Sequence, residues 1–163
     1  VFSIIFTAFL FIFFCFDYFY GVIPDAIAIF GTVFFIFAAF ARRGLFGQDG
    51  GGHAVWGLSP FDSTLFGAVA GFAFFWIQHQ ASSGRWVGMG DALVGLFLGA
   101  SLGLRNLGIA LLFSYIFGAI ISVILIIFKI KKRTDTVPFC VFLTIGGFLA
   151  WFFGADFFRF LGY

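Results

Sequence analysis

The chain has 163 residues, of which 63% are apolar and 10% charged, with a mean hydropathy of +1.15. A soluble domain carries about 25% charged residues, so this composition excludes one and points to an integral membrane protein. A net charge of +2 gives no case for nucleic-acid binding, and two isolated cysteines, Cys15 and Cys140, without CxxC spacing give none for a zinc site.

About 20 apolar residues cross the hydrocarbon core as a helix. The apolar runs predict an all-α, polytopic transmembrane bundle of about six spans, read as one domain over 1–163: 1–19, 25–41, 61–80, 89–104, 107–128 and 137–158. The runs are continuously apolar, not alternating, which excludes a β-barrel. The first run lacks a basic leader and a small-residue cleavage site, so it is not a secretory signal. Because the chain opens at Val1, the expectation is a processed start or a piece of a longer protein. That first run ends in "FDYFYG", carrying Asp17, and "IPD" (Pro24, Asp25) opens the second. A Gly-rich connection follows over 42–60, then the third span. The polar loop "QASSGRWVGMG" leads directly into Asp91. The fourth span is short, its charge-free part being "ALVGLFLGASLGL". Such a span is tolerated where it lines a polar cavity, with a re-entrant element as the alternative. "KIKKR" (129–133) separates the fifth and sixth spans. The 31 phenylalanines are a lipid-facing and packing composition, not a cofactor signal.

Basic loops stay cytoplasmic. The 129–133 cluster therefore puts that end inside, with Arg85. Arg42, Arg43, Arg105 and Arg159 fall at the other end. Span counting then sets Asp17, Asp25 and Asp91 at one face, the cytoplasmic one. A charge entering a span costs several kcal/mol unless paired, hydrated or used. Two carboxylates sharing a site cannot both ionise easily. One can take a proton from water while the other donates to a carbonyl oxygen, the aspartic-protease arrangement. Gly88 and Gly90 would let backbone approach closely or adopt positive φ ahead of the helix. A capping role also accounts for an acid after glycines, and for Asp25 after Pro24. Asp17 fits capping less well, because it sits near a helix C-terminus, which disfavours an anion.

Three stretches together resemble the type IV prepilin peptidase family, including preflagellin peptidases, which are GxGD membrane aspartic proteases. "FDYFYGVIPD" resembles the first catalytic segment, "GMGD" the second, and "VPFCVFL" the segment opening the last span. The resemblance implies catalytic Asp17 and Asp91, with Gly88, Gly90, Pro24 and Asp25 supporting the site. Pro138 and Phe139 would lie on the substrate side. It implies a multi-pass endopeptidase of the inner membrane that removes the leader of prepilin-like precursors at the cytoplasmic face, after a glycine. No metal or organic cofactor is implied; the partners are the precursors and the lipid bilayer. Leu93 stands where the family often has Lys, and "PFCVF" replaces "PFGPF". The paired CxxC motifs of the bifunctional members have no counterpart, so the expectation is the protease part alone, either as a short member of the family or with the N-terminal part cut away. The residues alone also admit a small transporter or ion-conducting bundle using the aspartates, or a non-catalytic pilus-assembly subunit.

Overall fold

The computed structural model describes residues 1–46, 59–85, 87–129 and 138–160. It consists of α1 (Phe2–Tyr20), α2 (Asp25–Phe46), α3 (Pro60–Ser82), α4 (Met89–Ile127) and α5 (Cys140–Phe160), with no strand among the described residues. All five are long and apolar enough to cross a membrane, and the chain is a multi-pass membrane protein. Most of the 42–60 connection, Trp86, nearly all of the 129–133 cluster and Val137 lie outside the described residues.

The expected fourth and fifth spans form one helical element. The 39 residues of α4 would measure about 58 Å if straight, roughly twice the hydrocarbon core. The element instead breaks at Gly103, whose φ of 73° and ψ of 170° are not helical. Contacts with α3 show what the break does. In the first arm (89–102) Gly95 meets Gly71 and Gly99 meets Gly67, so this arm runs antiparallel to α3. In the second (104–127) Leu104 N–H donates to Ser63 Oγ at 3.2 Å, and Tyr115 reaches Gln78, so that arm runs parallel to α3. The chain thus reverses at Gly103 without a loop. A side chain is disfavoured there twice over, by the positive φ and because a Cβ would stand 2.8 Å from Ser63 Oγ. Five long apolar helices, one of them broken at Gly103, are close to the about six spans read from the apolar runs.

The first arm of α4 is the hub of the bundle. Its Phe97 is fully buried, with ring centroids 5.8 Å from Phe6, 5.4 Å from Phe9, 5.2 Å from Phe13 and 5.7 Å from Phe35. Leu98 packs under Gly147 of α5. The short span is therefore sheathed by protein. Its length need not match the bilayer. Phenylalanine serves both roles expected of it: Phe6, Phe13, Phe75 and Phe97 are inside, while Phe11, Phe30, Phe37 and Phe66 face out.

The seam between α3 and this arm is glycine on glycine. A Cβ on Gly71 would run into the carbonyl oxygen of Gly95, and one on Gly99 into that of Gly67. Between helices in lipid, association rests on close packing, and small residues four apart allow it. The spacing of Gly67 with Gly71, and of Gly95 with Gly99 and Gly103, carries that signal in the sequence.

Candidate active site

One end of the bundle gathers the C-terminus of α1 and the N-termini of α2, α4 and α5. Asp17 lies in the last turn of α1, closed by Gly21, whose N–H donates to the Asp17 carbonyl oxygen at 3.0 Å. The side chain of Asp17 leaves its own helix. Its Oδ2 accepts the Val141 N–H at 3.1 Å, across 124 residues, and the Cys140 N–H also bonds the carboxylate. Those N–H groups belong to the first turn of α5 and have no partner within it. Asp17 therefore caps α5 from another helix. This answers the difficulty of an anion near the end of α1: the carboxylate sits at the favourable positive end of α5.

Asp91 is held differently. Gly88, with φ of −75° and ψ of 159°, is the N-cap of α4, and Asp91 is the third residue of the helix. Its Oδ2 accepts the Gly88 N–H at 3.1 Å. Glycine has no side chain to return the bond, so this is half of a capping box. The capping alternative for Asp91 thus describes a real interaction, but as a third-position acceptor and not as the N-cap itself.

The two carboxylates come from α1 and α4, at the same end of the bundle, and each is only 8% exposed. Cys140, whose N–H bonds the Asp17 carboxylate, is fully buried. Neither aspartate has a cation paired with it among the described residues; the ion pairs there, Arg43 with Asp62 at 3.8 Å and Arg159 with Asp156 at 3.5 Å, lie at the other end. No three described His, Cys, Asp or Glu side chains cluster as metal ligands.

The remaining residues singled out in the sequence divide by role. The Pro24 carbonyl accepts from Ile27 and Ala28, so Pro24 opens α2 and Asp25, exposed, is its first residue. Gly90 is where α4 meets the link before α2: a Cβ would stand 3.0 Å from Ile23 Cδ1. Neither Gly88 nor Gly90 has positive φ, so that expectation does not hold; the close neighbour at Gly90 is Ile23. Phe139 caps α5 through its carbonyl, which accepts from Phe142 at 3.0 Å and Leu143 at 3.1 Å. Its ring lies 5.0 Å from Tyr115 and 6.0 Å from Phe75. Pro138 directly precedes it. The sequence did not mark Ile23, Tyr115, His79 or the Val141 N–H, all within this end; a backbone donor has no sequence signal at all.

The fold is that of a polytopic helical membrane protein with two buried carboxylates, from different helices, at one end of the bundle. The model of the type IV leader peptidase family matches residues 4–123, and the chain belongs to that family. It is 32% identical over 102 residues to a protein of Aeromonas salmonicida named prepilin leader peptidase/N-methyltransferase, covering 60% of this chain and 35% of that one. Proteins of the same name from Pseudomonas aeruginosa and Bacillus subtilis are each 31% identical over 100 residues, covering 59% and 60% of this chain and 34% and 40% of theirs. The chain thus spans little more than a third of the length of these relatives. No solved structure gives a significant match.

Proposed function

We propose that this chain is the peptidase part of a prepilin leader peptidase, an aspartic endopeptidase that cuts the leader from type IV prepilin-like precursors at the cytoplasmic face of the inner membrane. The observation that carries the reading is the pair itself: Asp17 and Asp91, from separate helices, are both buried at one end of the bundle, each held by backbone N–H at a helix N-terminus.

The chemistry needs two carboxyl groups with one proton between them. The ionised carboxylate takes a proton from water, and the water oxygen bonds to the scissile carbonyl carbon. The protonated carboxyl gives its proton to the carbonyl oxygen. The tetrahedral gem-diol then collapses: the carboxyl that took the water proton gives it to the leaving amine, the C–N bond breaks, and the other carboxylate takes back a hydroxyl proton as the new carboxyl group forms. Holding each carboxylate by backbone N–H groups at a helix N-terminus keeps both side chains in one rotamer, which favours a fixed reacting geometry. Asp25, exposed at the mouth of the same end, supports the entrance without joining the pair. Pro138 and Phe139, beside Tyr115, form the wall that a precursor's extended segment would pass.

Detergent-purified protein incubated with a prepilin peptide and S-adenosylmethionine tests both halves of this reading. The expected product is the shortened peptide with a free N-terminal amine. An uncut peptide would exclude the peptidase. A product heavier by one methylene would show that methyl transfer also resides in this chain.

The membrane side has its own test. In a background lacking Cys15 and Cys140, a cysteine at exposed Ser83, at the aspartate end, should be shielded from an impermeant thiol reagent in intact cells. One at Asp156, beside Arg159 at the other end, should be labelled. The reverse pattern would put the pair outside the cell and exclude cytoplasmic cleavage.

A further inference from the structure

The side chain of His79, near the end of α3, reaches the loop between α3 and α4. Its Nδ1 lies 2.9 Å from the carbonyl oxygen of Val87. A carbonyl has no proton to give, so Nδ1 carries the hydrogen and donates. The next backbone group along is the N–H of Gly88, which donates to Asp91 Oδ2 at 3.1 Å. The Val87 carbonyl and the Gly88 N–H are two ends of a single peptide plane. His79 therefore holds one end of the peptide group whose other end holds Asp91.

We infer that His79 is a positioning residue for Asp91, acting through the Val87–Gly88 peptide group that the imidazole and the carboxylate grip from opposite ends. Its importance for cleavage rests on the peptidase reading above. Three features of the local structure support it. The peptide is rigid, so fixing its oxygen also fixes the direction of its N–H. Hydrogen bonds in series through one amide polarise each other, so the donor at Val87 strengthens the donor to Asp91. The surroundings are also shaped to the ring. Gly84, with φ of 75°, passes so close that a Cβ there would stand 3.1 Å from His79 Cε1. The end of α3 is fastened by Gly84 N–H to the His79 carbonyl at 2.9 Å, and by Arg85 Nε to the Ser82 carbonyl at 3.1 Å. Val87 is itself buried, at 6% exposure. By itself a glycine N-cap leaves the loop free to swing Asp91 with it; the imidazole removes that freedom.

Two measurements test the inference. In a His53→Gln background, His79 is the sole histidine. Its 15N spectrum, taken about two units above the ordinary imidazole pKa of roughly 6.5, should show Nδ1 protonated and Nε2 bare. The Nε2–H tautomer would overturn the link. Cleavage of a prepilin peptide is the second. His79→Phe, which fills space but donates nothing, should lower kcat about tenfold or more while KM stays within about twofold. His79→Asn, which returns an N–H near the Nδ1 position, should recover most of that loss. Wild-type kcat in His79→Phe, or a loss confined to KM, would overturn the positioning role. If His79→Phe does not fold, the tautomer and the Asn variant still decide. Wild-type protein that fails to cut the peptide would instead refute the peptidase reading, leaving the tautomer to report on the link.

Discussion

Asp17→Asn and Asp91→Asn should each lower cleavage of a prepilin peptide by about 10³-fold or more, the size of loss seen when one member of a cooperating catalytic set is removed. The double variant should be little worse than either single one, the result expected of two groups that act as a unit. Asparagine is nearly the same size as aspartate and can still accept through its oxygen. The Val141 bond to Asp17 and the Gly88 bond to Asp91 are therefore retained in kind, and thermal unfolding in detergent should change little. Asp25→Asn, exposed and outside the pair, should be far milder. Near-normal cleavage by either of the first two variants would remove that residue from the chemistry. A large fall in the unfolding midpoint would show that the carboxylate matters chiefly as a helix cap.

The second large effect falls on the fold. Gly99→Leu should destabilise the protein by about 3 kcal/mol or more, at or beyond the upper end of ordinary overpacking costs. The Cβ of any residue at this position would run into the Gly67 carbonyl oxygen and the Ala68 backbone nitrogen. Those are main-chain atoms of a neighbouring helix, and they cannot turn aside as a side chain would. The clash pushes α3 from the first arm of α4, the arm that carries Asp91 and on which the other helices pack. Activity should then be lost together with the folded protein, unlike the aspartate variants. Gly108→Leu is the matched control, since a Cβ there meets nothing within 4 Å. Unfolding monitored by circular dichroism in detergent separates the two. Equal stability of Gly99→Leu and wild type would contradict the close seam.

The sequence alone determined the membrane environment, the helical bundle of about six spans and the shared end of the three helix termini that carry Asp17, Asp25 and Asp91. Hydropathy runs need no tertiary information, because a bilayer demands that each crossing be a helix of sufficient apolar length. Span parity then sets the ends of the helices: Asp17 closes the first, Asp25 opens the second and Asp91 opens the fourth, so all three share one end. Tertiary structure decided what holds them there. Nothing near residue 17 in the chain shows that its carboxylate caps α5, because the donors stand 124 positions later and are backbone groups, which every residue type carries alike. Nor did the apolar pattern show that the fourth and fifth spans join at Gly103 without a loop. A reversal there depends on one residue's φ and on Ser63 waiting opposite, not on hydropathy. The glycine seam falls between these cases. Its four-residue spacing is written in the chain, but which glycine meets which is fixed only when α3 and the first arm of α4 lie antiparallel. His79 shows the same limit most plainly. A lone histidine at the end of an apolar helix says nothing until folding sets its Nδ1 against the Val87 carbonyl, because a hydrogen bond is a matter of position and direction to within a fraction of an ångström, and sequence distance does not encode either.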